Sequence, residues 1–225
     1  MIPWLLVLAA YLWGAIPASY LAGKWTRGID LRRHGSGNLG ATNTFRVLGA
    51  RVAAPVMVFD ILKGLLPVVI FSQLDGSADW RWELAYGAAA VVGHVFSVYM
   101  KLRGGKGVAT SAGVFLALAP IAVGVGLAVW LVVMRLTRMV SAGSVAAALA
   151  VAVILHVPGA PVRPPVRILG TGVALFVVFA HRSNLARILR GEESRFSFGR
   201  RPRSATEETV AAAAVAADAE EEEEG

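Results

Sequence analysis

Two stretches of this 225-residue chain combine glycine with small polar or cationic residues in a way an ordinary connector does not need. The first reads Gly35-Ser36-Gly37-Asn38-Leu39-Gly40-Ala41-Thr42-Asn43, with Arg46 three residues on. Glycine lets backbone N–H groups converge on an anion, and Ser36, Asn38, Thr42 and Asn43 add side-chain donors that bring no negative charge. Arg46 supplies a planar fork suited to phosphate. The loop therefore reads either as an oxyanion cradle or as a turn-rich spacer. The second stretch, from Lys101 to Ser111, places Lys101, Arg103 and Lys106 among Gly104, Gly105 and Gly107, with Thr110 following. A positive anchor would explain the cations. It would not explain the glycines, which again favour phosphate.

A third cluster contains His181, Asn184, Arg187, Arg190 and Glu193. On a helix, 181, 184 and 187 share a face, so these side chains can point together. A basic helix lying against anionic lipid is the competing reading. Asp60 and Lys63 sit three apart within an apolar run, where ionisable residues mark either a site or a buried ion pair. His94 lies seven residues before Lys101, as core histidine or supporting group. Ser141 and Ser144 are either helix-packing residues or substrate donors.

Several chemistries drop out. With no Cys there is no disulfide, thiolate metal site or Cys nucleophile. Gly35, Gly37 and Gly40 match G-x-G-x-x-G with Asp60 twenty residues later, but the motif follows an apolar run instead of a strand, and Asp60 lies inside the next such run. Nor is 101–111 a Walker loop, because residue 107 is Gly and residue 100 is Met.

These loops must be positioned by membrane helices. The chain is 56% hydrophobic and 16% charged, against about 25% charge in soluble domains, with a mean hydropathy of +0.61. Apolar runs at 2–23, 52–72, 83–100, 113–134, 139–157 and 165–180 are long enough to cross or deeply enter a bilayer core of about 30 Å. A cleaved signal peptide is the alternative for the first run, although no basic residue precedes it. Six Lys and Arg between 24 and 51 and three between 101 and 106 put both glycine-rich loops in the cytoplasm. A single span at 113–134 would strand Arg135 and Arg138 on the other side. Pro120, with Gly124 and Gly126, instead lets that run enter and return as two short segments. The predicted fold is an all-α polytopic transmembrane bundle of about seven helices, two of them short, with the N-terminus outside and the C-terminus cytoplasmic. The membrane domain covers 1–191. The remainder, 192–225, is an Ala/Glu-rich tail, expected to be disordered, in which eight of the 15 acids occupy the last 19 residues.

The motif at 35–43 with Arg46, Gly-Gly-Lys-Gly-Val-Ala-Thr at 104–110, and His181-x-x-Asn184 before Gly191 together resemble the bacterial acyl-phosphate-dependent glycerol-3-phosphate acyltransferases. The resemblance spans roughly residues 1 to 195 and includes Asp60 with Lys63-Gly64, Gly93-His94 and Ser141-x-x-Ser144. Ser97 departs from it, since the family is expected to favour Pro there. The resemblance implies transfer of a fatty acyl group from acyl phosphate to the sn-1 hydroxyl of glycerol 3-phosphate at the cytoplasmic face of a bacterial inner membrane. It implies no metal and no cofactor. The expected partners are the two substrates and the lipid bilayer; nucleic acid is not among them, and the pattern specifies no oligomer.

Under that reading Ser36, Arg46, Lys106 and His181 carry the catalysis, with Ser36 as a covalent nucleophile only a lesser option. Gly37, Asn38, Gly40, Thr42, Asn43, Lys101, Gly105, Gly107, Thr110, Ser141, Asn184 and Glu193 are expected to bind substrate or phosphate. Asp60, Lys63 and His94 support the site from within the membrane. Either His181 or a phosphate oxygen of the donor takes the hydroxyl proton. An organophosphate or anion transporter is the main rival, and a noncatalytic lipid-binding scaffold another, although no internal repeat relates the two halves.

Overall fold

A computed structural model describes residues 2–196, and among these every regular element is helical. The expected tail lies outside the described residues from 197 onward. The first apolar run forms α1 (Ile2–Gly14) and α2 (Ala18–Arg27), broken where Pro17 cannot donate a helical hydrogen bond. After the first loop come α3 (Ala41–Leu48) and α4 (Ala50–Leu66), the latter carried to Leu74 through a π turn that begins at Pro67. Then follow α5 (Arg81–Val95), α6 (Val108–Leu118), α7 (Pro120–Thr137), α8 (Val140–His156), α9 (Pro164–Ala180) and α10 (Arg182–Leu189).

Ile2–Arg27, Ala50–Leu74, Arg81–Met100 and Pro120–Thr137 are long and apolar enough to cross a membrane, and α9 with α10 makes a further, 54° bent candidate. The break at Pro120 is present. One expectation is corrected, however: only the segment before it, α6 with 11 residues, is short, whereas α7 has 18. The second short apolar helix is α8, with 17 residues.

Contacts between connections sort the loops onto two ends. At one end Trp4 meets Trp82 edge-on, and the Arg163 guanidinium lies 4.6 Å above the Trp80 ring. At the other end Phe45 of α3 stacks on Phe196, whose N–H donates to the Arg138 carbonyl at the close of α7. Arg138 therefore stands on the same side as the first loop, as the turn at Pro120 requires.

Small residues let the central helices approach closely. A Cβ at Gly14 would overlap the Ala90 carbonyl, and one at Gly93 the Tyr11 carbonyl, which locks α1 against α5. Gly64 and Gly113 do the same between α4 and α6, against the backbones of Thr110 and Ile61. Farther from the loops, Phe115, Ala119, Ala122, Leu155 and Val166 form a core that joins α6 to α9. Gly93→Val should therefore force α1 and α5 apart and destabilise the fold by about 1–3 kcal/mol. Thermal unfolding of detergent-solubilised protein would show it as a lowered Tm.

Candidate active site

The first loop is shaped by one buried amide. Asn43, 1% exposed, accepts the Ser36 N–H at 2.8 Å through Oδ1 and donates through Nδ2 to the carbonyls of Leu31 and His34, both at 3.1 Å. Gly35 and Gly37 adopt φ of 59° and 69°, a region that favours glycine, and a Cβ at Gly35 would collide with the Asn43 amide. Asn43 was expected to contact phosphate, but both of its N–H groups are engaged, so its place is inside the loop. The side chains of Ser36, Asn38, Thr42 and Arg46 make no hydrogen bond within the described residues, and α3 has Gly40 at its N-cap, so no side chain caps it. Its first N–H groups and those four side chains together form a donor-rich mouth.

Leu31 and Leu39 bury themselves with Leu48 and Met100, which seats the first loop on the second. In the second loop Gly104 and Gly105 donate to the carbonyls of Val95 and His94 at 2.9 and 3.1 Å. A Cβ at Gly105 would overlap the Leu39 carbonyl and the His94 ring, so only glycine fits between the two loops. Gly107 begins α6, and Lys106 turns inward from the loop. Lys101, by contrast, is exposed in a left-handed turn and has no hydrogen-bond partner among the described residues. Thr110 is fully buried among the helices, its hydroxyl unpartnered and its carbonyl against Gly64.

Lys106 Nζ donates to Asn184 Oδ1, which joins the second loop to α10. Asn184 Nδ2 in turn donates to Glu193 Oε1 at 2.7 Å. The same carboxylate accepts from Ser141 Oγ at 2.7 Å and from Arg187 Nε at 2.8 Å. Burial opposes its charge, yet these three hydrogen bonds outweigh that and hold the Glu193 carboxyl below its ordinary pKa. Glu193 and Ser141 were expected to bind substrate; in the structure the Ser141 hydroxyl donates to the Glu193 carboxylate, and that carboxylate holds Asn184. The folded unit thus runs past the expected boundary at 191.

His181, 4% exposed, donates from Nδ1 to the Val177 carbonyl at 2.8 Å. Because a carbonyl only accepts, a neutral ring keeps its Nε2 lone pair free. Burial first, and the Lys106 charge second, hold the ring below the ordinary imidazole pKa. Burial likewise pushes the Lys106 ammonium down to about 8; Glu193 opposes this, while Arg187 and Arg46 add to it. Lys106, Asn184, Glu193, Arg187, Arg46 and His181 are therefore one electrostatic neighbourhood. Sequence reasoning missed Phe196 and the Ser97 hydroxyl, which donates to the Ala15 carbonyl at 2.5 Å. The only hint of the latter was Pro17, which implies open carbonyls nearby.

Such a fold and site define a multi-pass membrane protein with a cationic, donor-rich mouth at one end of its helices. Comparison with known proteins makes the class specific. Residues 4–191 match the glycerol-3-phosphate acyltransferase family model, and the chain belongs to that family. It is 47% identical over 197 residues to the glycerol-3-phosphate acyltransferase of Synechococcus elongatus, covering 84% of this chain and 92% of the relative. The Desulforudis audaxviator enzyme is 41% identical, with 86% and 96% covered. The crystal structure of PlsY, an integral membrane glycerol 3-phosphate acyltransferase, in its glycerol 3-phosphate form superposes with a TM-score of 0.79 at 36% identity, covering 87% of this chain and 96% of that one. Its lysophosphatidic acid form gives 0.77 at 35%, covering 87% and 95%. The chain is thus an acyltransferase of lipid synthesis in a membrane, and the transporter reading is set aside.

Replacing Asn43 with Ala would leave the Ser36 N–H and two carbonyls without their partner, a cost of about 1–3 kcal/mol. The variant should show a lower Tm together with a raised KM for the phosphorylated acceptor, measured on detergent-purified enzyme.

Proposed function

We propose that the chain transfers a fatty acyl group from acyl phosphate to the sn-1 hydroxyl of glycerol 3-phosphate, releasing lysophosphatidic acid and inorganic phosphate. The observation that carries this reading is the meeting of Lys106 with Asn184 beside the unpaired donors of Ser36, Asn38, Thr42 and Arg46. It gathers cations and neutral donors from three parts of the chain. The two solved forms of PlsY, described with glycerol 3-phosphate and with lysophosphatidic acid, correspond to the acceptor and product sides of the same reaction.

In the reaction the acceptor hydroxyl attacks the acyl carbonyl carbon, and the developing oxyanion is met by donors of the first loop. Such a donor is worth roughly 10²- to 10³-fold in rate. Collapse breaks the bond from carbon to the phosphate oxygen, with Lys106 and Arg46 neutralising the charge on phosphate. Because an acyl phosphate is already activated, direct attack needs no Ser36 ester. His181 offers Nε2 to the attacking hydroxyl and orients it. Its low basicity and the nearby Lys106 charge favour a phosphate oxygen as the final proton acceptor.

The mouth faces the cytoplasm of a bacterial cell membrane. The first loop, the second loop, Arg138 and α10 all stand at this end, and the positive charge gathered there belongs inside. The N-terminus is then external. The acidic tail lies beyond the residues matched by the family model and is read as an appendage to the catalytic module.

Purified protein given palmitoyl phosphate and labelled glycerol 3-phosphate should form labelled lysophosphatidic acid; absence of product would sink the reading. His181→Ala should lower kcat by roughly 10²-fold; an unchanged kcat would remove the histidine from the proton path altogether. The pH dependence has a definite sign. Lys106 carries its charge below about 8 and loses it above, so kcat/KM should fall as pH rises through that value. In Lys106→Arg the alkaline fall should be absent, since guanidinium stays protonated.

A further inference from the structure

Beneath the site lies a buried charged cluster that the reaction does not touch. Asp60 and Lys63 pair at 2.7 Å on α4, their side chains 3% and 2% exposed. Lys63 Nζ also donates to the Ile16 carbonyl at 3.1 Å. Together with the Ser97 bond to the Ala15 carbonyl, it fills acceptors at the break between α1 and α2. Polar backbone exposed by a broken membrane helix must find such partners within the protein. That accounts for Lys63. It leaves His94 without a purpose.

The His94 imidazole is 7% exposed, its Nδ1 stands 3.7 Å from Asp60 Oδ1, and that nitrogen makes no hydrogen bond. A cavity of about 10 Å³ is bordered by Asp60, Lys63, His94, Leu39, Gly104 and Gly105. That is room for one water, which could link Nδ1 to Asp60. The ring is wedged under the catalytic loops: Gly105 binds the His94 carbonyl, and its Cα lies so close to the ring that no Cβ fits. Leu39 of the first loop borders the same spot. Whatever fixes this ring fixes the residue preceding Lys106.

We propose that Asp60, Lys63 and His94 are positioning residues for Lys106, the ion pair aiming Asp60 at the imidazole and the imidazole setting the height of Gly105, hence the reach of Lys106 toward Asn184 and phosphate. The proposal rests on Lys106 as a phosphate ligand. A displacement of 1 Å at a reacting group can lower the rate about 10²-fold, so a loosened ring beneath Gly105 should be felt in catalysis before it is felt in folding.

The test compares wild type with His94→Ala, His94→Gln and the double variant D60N/K63M, each purified as a monodisperse full-length protein. Lys106 is labelled with acetic anhydride across pH 7 to 10 and quantified by peptide mass spectrometry, a readout independent of turnover. In His94→Ala, kcat/KM for glycerol 3-phosphate should fall roughly 10- to 100-fold. The half-labelling pH of Lys106 should move upward as the ammonium gains solvent, and His94→Gln, which keeps a side chain under Gly105, should recover much of both. If His94→Ala does not fold, D60N/K63M asks the same question with the pair replaced by neutral groups of similar size. Folded variants with wild-type kcat/KM and an unshifted Lys106 labelling profile would overturn the proposal. Loss of acyl transfer in wild type itself would instead overturn the assigned reaction, while the labelling shift would still report on positioning.

Discussion

The hydrogen bond from Lys106 to Asn184 spans 78 residues of sequence, and the site depends on it. An ammonium turned in from a loop loses hydration, and it is held there only if an acceptor is presented to it; here that acceptor comes from a distant segment. Asn184 presents one because its amide nitrogen is tied to Glu193, and Glu193 stays charged because Ser141 and Arg187 also serve it. Its charge is absorbed by three donors, which leaves the face toward the mouth cationic.

Glycine carries the second constraint. Gly105 is pressed between the Leu39 carbonyl and the His94 ring, so the two glycine-rich loops stand in van der Waals contact through a single missing side chain. Gly35 and Gly37 bend the first loop around the Asn43 amide. Deeper in the membrane, Gly64 brings α4 onto the backbone of Thr110, and α6 hangs directly below Lys106. Rigid close packing of this kind confines a lysine with many rotamers to the few that reach its partner.

Much of this was legible in residue types. The three motifs announced themselves by combinations that a spacer has no use for, and the excess of positive charge on certain loops required the chain to double back near Pro120, as it does. What the sequence concealed was the division of labour within each motif. Asn38 and Asn43 look alike in a list of residues, yet one offers a free amide to the mouth and the other is enclosed by its own loop. Glu193 could be placed near the site by spacing, but whether it touched phosphate or a neighbouring helix depended on Ser141, 52 residues away. The length of α7 was also hidden, because apolar runs do not mark where a helix stops short and its successor goes the whole way.

The turn at Ala119 and Pro120 reaches further than the two helices it separates. By sending α7 back the way α6 came, it brings the last described residue, Phe196, to rest on Phe45, one position from Arg46. A segment joined after Phe196 starts beside Arg46 and the first loop, whereas one joined before Ile2 starts at the other end of the helices, near the contact of Trp4 with Trp82.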